Sequence, residues 1–233
     1  MQQIAMPQPS LDIIKTATDS LLLPLRRPIL FIPFAFTMAM LYVMVAMVLM
    51  GTLSYLSEVG RIDLQHIIAL AGAVVLIIFT SMIAVEVTII LTAQAEVGKE
   101  LDLAEAVSHS LNRLPVTLAT TTVMMIGIMV GLILLIIPGW FLLIRWWLAP
   151  NMVLLTRRGV REALGMSWQL TGAHFVPLLG LAMLVGVGTV VLSIPLGFIP
   201  VVGQVAAGWL GFAWGAIAMA MAHVRLGAPV ELG

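Results

Sequence analysis

The sequence predicts an all-α polytopic membrane protein with six transmembrane helices and three amphipathic interfacial helices on the cytoplasmic side. Only 9% of its 233 residues are charged and 61% are hydrophobic, whereas a soluble domain has about 25% charged residues. The mean hydropathy is +1.14. The apolar residues also gather in runs long enough to cross a bilayer. We therefore expect one integral membrane domain over residues 1–233.

Six apolar segments have about the 20 residues that a helix needs to cross the hydrocarbon core. The fourth is short, and only Pro138 and Gly139 separate it from the third. That pair predicts a tight turn, because Pro lacks a backbone donor and Gly accepts the dihedral angles of a reversal. The expected spans are about Pro28–Met50, Ile67–Leu91, Pro115–Ile137, Trp140–Leu155, Phe175–Ile194 and Val205–Ala222.

The positions of Lys and Arg predict the orientation of these spans. Cytoplasmic loops carry an excess of basic residues. Arg61 is the one basic residue expected on the opposite side, and Arg145 lies within a span. We therefore expect a multi-pass protein of the cell (inner) membrane with both termini cytoplasmic. The nine basic residues on the cytoplasmic side are Lys15, Arg26, Arg27, Lys99, Arg113, Arg157, Arg158, Arg161 and Arg225.

An amphipathic segment precedes each of three pairs of spans. Asp102 and Glu105 have the spacing of a capping box, and the apolar residues that follow fall on one helical face. Three such segments predict three units of one interfacial helix plus a transmembrane hairpin, over about 10–92, 101–156 and 159–225. Similar physical demands at each membrane entry could produce the same pattern without duplication.

The central stretch carries a series of short motifs. They are Pro138-Gly139, Arg145-Trp146, Ala149-Pro150, Gly159-Val160-Arg161-Glu162-Ala163-Leu164 and Ser167-Trp168-Gln169-Leu170-Thr171. With these motifs the chain resembles a broad set of prokaryotic six-span proteins, which includes the YciC-like inner-membrane proteins of unknown function and the membrane domain fused to some glycerophosphodiester phosphodiesterases. No phosphodiesterase domain is present, so the resemblance implies no hydrolase activity.

Glu86 and Arg145 are the two ionisable residues inside the expected spans. A charge in hydrocarbon costs several kcal/mol, so such residues usually face a partner or a cavity. At about 1.5 Å per residue along a helix, Arg145 lies about 18 Å from Arg157 and Glu86 lies about 15 Å from Glu96. Measured from the cytoplasmic side, the two charges therefore lie at similar depths. We therefore expect a pair of intramembrane charges, as a structural ion pair or on a lipid or substrate path. Glu86 could instead extend towards the interface.

Two further groups are candidate sites. Trp146, Trp147 and Pro150 could line a groove, because Pro150 frees a carbonyl one turn earlier; interfacial anchoring and an ordinary kink explain them as well. Arg157, Arg158 and Arg161 form a juxtamembrane cluster that could hold an anionic headgroup. The positive-inside rule alone also accounts for this cluster.

Two pairs of glycines have the spacing that lets membrane helices approach closely. Gly127 and Gly131 form one pair, and Gly211 and Gly215 form the other. We expect both pairs to serve contacts within the chain rather than dimerisation.

Nothing in the sequence indicates catalysis or a cofactor. Cys is absent and the four His are scattered over separate segments, so neither a thiolate site nor a paired metal spacing is present. Because the net charge is zero, no overall positive potential favours the binding of nucleic acid. We expect no enzymatic activity and no metal. The expected function is a role in membrane or envelope homeostasis through contact with membrane lipids or a membrane-protein partner. The alternative is a small-molecule or ion transporter or channel.

Overall fold

The computed structural model describes residues 11–59, 64–134, 136–198 and 202–231, and within these ranges the chain is helical without any strand. A 3₁₀ turn over Pro28–Phe31 joins the first two α-helices. The α-helices of the described ranges are α1 (Ile13–Arg26), α2 (Ile32–Val59), α3 (Leu64–Glu96), α4 (Leu103–Leu134), α5 (Ile136–Trp146), α6 (Ala149–Thr156), α7 (Val160–Ala173), α8 (Phe175–Leu196) and α9 (Val202–Arg225).

Five of these helices are long and apolar enough to cross a membrane. The expectation of an α-helical multi-pass membrane protein is therefore confirmed, whereas six spans and a three-unit repeat stay predictions. The expected fourth span is divided between α5 and α6, and each of these helices is too short to cross alone. Arg61 lies outside the described residues. The candidate spans are Pro28–Tyr55, Ile67–Glu96, Leu103–Leu134, Phe175–Leu196 and Ala206–Arg225.

The second interfacial helix is not a separate helix. α4 runs without a break from Leu103 through Pro115 to Leu134, so the prediction of a boundary at Pro115 is wrong. Membrane helices tolerate an internal proline when neighbouring groups satisfy the freed backbone. The expected cap at Asp102 is confirmed, because its carboxylate accepts from the backbone N–H groups of Ala104 and Glu105.

Pro138 and Gly139 do not form the turn that the sequence predicts. Both lie near the start of α5, where a proline is tolerated because the first N–H groups of a helix have no partner within it. Leu135, which separates α4 from α5, lies outside the described residues. Gly139 serves close packing instead, because a Cβ there would lie 2.7 Å from the backbone nitrogen of Leu132.

The glycine pairs sit at contacts between helices of the same chain. A Cβ on Gly127 would overlap the Trp146 ring, and a Cβ on Gly131 would lie 3.0 Å from the Cα of Gly139. A Cβ on Gly211 would overlap Thr189, whereas Gly215 faces open space. Three of the four glycines thus serve intrachain packing, as expected, and Gly215 does not.

Burial is concentrated at one end of the bundle, which we call the packed end. It comprises residues 84–96 of α3, 103–120 of α4, all of α6 and 213–225 of α9, together with Leu226. α6 is its centre, since every residue from Asn151 to Thr156 is buried. The largest fully buried side chains here include Ile89, Ile90, Leu91, Met152, Leu154, Leu155 and Ile217.

Arg225 ties three helices together at the packed end. Its guanidinium donates to Asp19 on α1 at 2.7 Å, to Glu96 on α3 at 3.1 Å and to the hydroxyl of Thr16 at 3.1 Å. Hydrogen bonds in which both partners are charged are the stronger kind. α1 is therefore held against α3 and α9 by polar contacts as well as by its apolar face.

Candidate functional site

An interruption between α5 and α6 organises the candidate site. α5 ends at Trp146 and α6 begins at Ala149, because Pro150 cannot donate to the carbonyl of Trp146. The carbonyl of Arg145 accepts from the hydroxyl of Ser167 on α7 at 2.8 Å. The hydroxyl of Thr171 lies 3.0 Å from the same carbonyl and shares its one proton with the Ser167 carbonyl at 2.6 Å. Such partners satisfy a backbone carbonyl that the break in the helix leaves free.

The Arg145 guanidinium lies among three aromatic rings. Its Cζ is 4.9 Å from the ring centroids of Phe141 and Trp168, and 5.8 Å from that of Phe175. One guanidinium nitrogen donates to the Trp168 carbonyl at 3.1 Å. The negative faces of the rings attract the cation, and the attraction is larger where water is excluded. We call these residues the arginine cage.

Gly172 completes the arginine cage. A Cβ at this position would overlap a terminal nitrogen of Arg145, so any larger residue would displace the guanidinium. The Nε of Arg145 is buried and has no hydrogen-bond partner among the described residues. The cage thus holds the cation mainly by its rings and by one carbonyl.

Glu86 is buried on the face of α3 that meets α4. The hydroxyl of Ser110 donates to one carboxylate oxygen at 2.6 Å. The Thr117 hydroxyl lies beside the carboxylate but donates to the Arg113 carbonyl at 3.2 Å, and the other carboxylate oxygen is buried without a hydrogen-bond partner among the described residues. None of the ion pairs of the described residues joins Glu86 to Arg145, and a contact through a lipid or substrate stays a prediction. The hydrogen bonds of each charge lie in its own neighbourhood, those of Glu86 at the α3–α4 contact and those of Arg145 at the α5–α7 contact, and each charge keeps one unpartnered atom.

Asn151 is a second buried polar group that the sequence reasoning missed. Neither its side-chain nitrogen nor its oxygen has a hydrogen-bond partner among the described residues. The ring nitrogen of His109 lies 2.8 Å from the Leu154 carbonyl, which fixes the register of α4 against α6. Asn151 lies about one turn from Leu154, and Ser110 follows His109.

The expected groove residues face different neighbours. The Trp146 ring lies against Gly127 and contacts Trp168, with ring centroids 6.4 Å apart. Trp147 packs instead against the cluster that contains Leu148 and Leu178. Pro150 lies in the first turn of α6. Trp146, Trp147 and Pro150 thus fill spaces between helices. They do not border the cavity of about 330 Å³ that residues of α1, α8 and α9 line.

Protein-family models, curated proteins and solved structures give no match to this chain. The resemblance to YciC-like proteins therefore stays a prediction.

The basic cluster of Arg157, Arg158 and Arg161 is exposed between the end of α6 and the first turn of α7. Arg157 caps α6 in the left-handed conformation, with φ of 51°. Arg158 makes a loose ion pair with Glu162 at 3.7 Å. Within the described ranges, Arg157 and Arg161 have no hydrogen bond or ion pair from their side chains. The cluster thus presents two free guanidinium groups.

Sequence reasoning also missed the roles of Arg225, Ser167 and Thr171. Arg225 was counted only as a basic residue after the last span, although its three partners lie far away in the chain. A signal for Ser167 and Thr171 was present, because hydroxyls one turn apart on a helix can reach one freed carbonyl.

Proposed function

We propose that this protein is a non-enzymatic component of the cell inner membrane that acts in membrane or envelope homeostasis through contact with lipids or a partner protein. The observation that carries the proposal is the pair of exposed, unpaired guanidiniums of Arg157 and Arg161 beside the amphipathic helix α7. A basic residue near an anionic membrane surface gains about 1 kcal/mol. The resemblance to inner-membrane proteins and the five candidate spans support the same proposal.

Lipid selectivity tests this function. The protein is reconstituted in nanodiscs of mixed phosphatidylglycerol and phosphatidylcholine, and native mass spectrometry measures which lipids stay bound after release. We expect the Arg157→Gln/Arg161→Gln variant to retain several-fold less phosphatidylglycerol than the original chain. Lys15→Gln, which removes an exposed charge from α1, is the control and keeps the original retention. Equal retention by all three proteins would contradict the proposed headgroup contact.

The proposed orientation places both termini and α7 in the cytoplasm. The distribution of basic residues supports it. The chain has no Cys, so single cysteines can be introduced at Gly197 and at Ser108. An impermeant thiol reagent added to intact cells should label Gly197→Cys and leave Ser108→Cys unlabelled. Labelling at Ser108→Cys would reverse the orientation.

We also propose that α5 and α6 together form a sixth span. Residues 136–156 would give one interrupted crossing, and the hydroxyls of Ser167 and Thr171 support this by satisfying the carbonyl at the break. Two cytoplasmic termini also require an even number of membrane spans. The labels at Gly197→Cys and Ser108→Cys together check this proposal, because without the α5–α6 crossing only two spans would separate these positions and both would lie on the same side of the membrane.

A transporter or channel is the second candidate. It is favoured by the buried, incompletely paired side chains of Glu86 and Asn151, since polar groups inside membrane helices often mark substrate or ion pathways. Thr120→Cys, on the buried face of α4, tests for a hydrated path. Reaction with a small water-soluble thiol reagent would favour transport. Protection equal to that of Ile90→Cys in the apolar core would favour the lipid-contact function.

A further inference from the structure

Three helices of the packed end meet at a layer of apolar side chains. We call it the apolar layer. Side chains three or four residues apart lie on the same face of a helix, so a residue one turn from this layer faces the same junction of helices. The layer consists of Ile89 and Ile90 of α3, Ala106 of α4, and Leu154 and Leu155 of α6, which belong to a single cluster of buried side chains.

A buried polar residue lies one turn from the apolar layer on each of the three helices. Glu86 precedes the two isoleucines of α3 by three and four residues, and Asn151 precedes the two leucines of α6 by the same spacing. Ser110 follows Ala106 by four residues on α4. Glu86 is 2% exposed, and Asn151 and Ser110 are 0% exposed. We call Glu86, Ser110 and Asn151 the polar layer.

The directions of the helices decide on which side of the apolar layer these residues lie. Gln94, late in α3, donates to Glu105 of α4 at 3.2 Å. Further along α4, Ser110 donates to Glu86, which lies earlier in α3. The two helices are therefore antiparallel.

α6 is in turn antiparallel to α4. The ring of His109 lies 2.8 Å from the Leu154 carbonyl. Further along α4, Val116 packs against the cluster of Met152 and Val153, which lie earlier in α6. α6 therefore runs parallel to α3, and the three residues of the polar layer lie on the same side of the apolar layer.

The polar layer holds more hydrogen-bonding atoms than it satisfies. Ser110 donates to one carboxylate oxygen of Glu86. The other Glu86 oxygen is buried without a hydrogen-bond partner among the described residues, and so are the side-chain oxygen and nitrogen of Asn151. Buried polar atoms without a partner are rare and costly in proteins. Their presence on two helices that face one junction indicates that the junction holds a ligand.

No cation of the described residues balances Glu86. The ion pairs of these residues do not include its carboxylate. α6 and the part of α9 before His223 contain no ionisable side chain, and α2 contains no charged one before Glu58. On α4, the ring of His109 contacts a carbonyl of α6, and Arg113 forms no ion pair within the described ranges. A buried charge without a partner is costly, so the ligand that fits is a cation.

The available atoms select the class of cation. The hydrogen bond from Ser110 to the Glu86 carboxylate favours its charged form. The free oxygens of Glu86 and Asn151 are ligands of the type that hard cations prefer. A single carboxylate balances a single positive charge, and the described residues contain no group of three or more His, Cys, Asp and Glu that could hold a metal ion. The polar layer therefore suits a monovalent metal cation better than a divalent one.

We infer that the polar layer is a binding site for one monovalent metal cation, a sodium or a potassium ion. The ion contacts the free carboxylate oxygen of Glu86 and the amide oxygen of Asn151, and it exchanges with the solution. The inference goes beyond the proposed lipid-contact function, because the site lies inside the packed end and does not involve Arg157 or Arg161.

Reaction with dicyclohexylcarbodiimide tests the site. This lipid-soluble reagent adds to a protonated carboxyl group and leaves a stable acylurea, whereas a carboxylate that holds a metal cation is protected. The full-length protein in phosphatidylcholine nanodiscs is treated at one pH in choline chloride, sodium chloride or potassium chloride of equal concentration. Mass spectrometry then measures the modification of Glu86.

We expect Glu86 to be modified in choline chloride and several-fold more slowly in at least one of the two metal salts. The salt that protects identifies the ion. Equal rates in all three salts would overturn the inference and leave Glu86 as a site for protons alone. Absence of modification in choline chloride would also overturn it, because an exchangeable site without its cation leaves the carboxylate free to take up a proton.

Two variants separate a built site from an isolated carboxyl group. Asn151→Leu removes both unpartnered amide atoms at similar volume, so Glu86 should still react but the metal salt should no longer protect it. Thr120→Val removes a buried hydroxyl of α4 that bonds to its own helix and should keep the protection. Undiminished protection in Asn151→Leu would overturn the role of the amide.

The test is independent of the lipid contact. Arg157→Gln/Arg161→Gln should keep the protection of Glu86 by the metal salt, even though it is expected to retain less phosphatidylglycerol. Loss of protection in this variant would overturn the placement of the site inside the packed end. Failure of the cation site and failure of the headgroup contact are therefore distinguishable.

Discussion

The two halves of α3 have similar apolar compositions and opposite surroundings. Ile78 in the first half is 62% exposed, whereas Ile90 in the second half is 1% exposed. Residues 64–80 face outwards along most of their length, and residues 86–94 are all buried. The first half is suited to lipid contact and the second to packing against α4, α6 and α9. Hydropathy alone therefore does not separate the core of this protein from its lipid-facing surface.

The polar residues of α3 divide in the same way. Throughout α3 the threonine and serine hydroxyls donate to carbonyls of α3 itself, and in the first half the one further contact of Thr80 and Ser81 is a weak one from Thr80 to the Met40 sulfur at 3.7 Å. In the second half, Glu86, Gln94 and Glu96 bond to side chains of other helices. The packed end is thus held together by polar contacts between helices as well as by burial.

The largest effect should come from truncating an isoleucine in each half of α3. Ile90→Ala leaves a cavity in the core and should lower the free energy of unfolding by about 2–5 kcal/mol. Ile78→Ala removes the same atoms from an exposed face and should change it by no more than about 0.5 kcal/mol. Denaturation in mixed micelles measures both. Similar losses would mean that the outer half of α3 is also packed against protein.

The clamp at Arg225 should give the next largest effect. Arg225→Gln leaves Asp19 and Glu96 without their cation and should cost about 1.5–3 kcal/mol, the range for charged hydrogen bonds. Arg161→Gln, at an exposed and unpaired position, is the control. The double variant Asp19→Asn/Arg225→Gln should lose less than the sum of its singles. Strict additivity in that cycle would show that the clamp contributes no coupling energy.

Two glycines of α7 extend the comparison to the arginine cage. Gly172→Ala overlaps a terminal nitrogen of the Arg145 guanidinium, so it should displace that group from its rings and cost about 1 kcal/mol relative to the change at Gly165. Gly165→Ala meets open space on the same helix and should stabilise by about 0.5–1 kcal/mol. Thermal unfolding and tryptophan emission measure both changes. In an Arg145→Ala background the cost of Gly172→Ala should vanish, and its persistence would contradict the cage geometry.

The smallest expected effect is the coupling energy between Glu86 and Arg145. Because the two charges have separate partners, Glu86→Gln and Arg145→Gln should be additive within about 0.3–0.5 kcal/mol. A double-mutant cycle of unfolding free energies measures the coupling. A larger coupling energy would restore the ion pair that the sequence suggested and would remove the distinction between the two neighbourhoods.

The sequence predicted the features that depend on local composition and spacing. Apolar runs predicted the membrane helices, and Asp102 predicted the start of α4, because a cap acts on N–H groups two or three residues away. Local rules failed at Pro115 and at Pro138–Gly139. A proline excludes one hydrogen bond but does not force a helix to end when neighbouring elements compensate for the loss.

The sequence by itself determined that the chain is helical and multi-pass, because too few charged residues are present to cover a soluble surface. It also identified Glu86 and Arg145 as charges within the expected spans that need partners. Only the tertiary structure decided which partners they have, since Ser110, Trp168 and Gly172 are distant in sequence and are brought close by helix packing. The tertiary structure also decided the partners of Arg225 and the cavity between α1, α8 and α9. Their geometry depends on which faces of helices meet, and hydropathy does not encode that choice in a chain whose lipid-facing and buried surfaces are equally apolar.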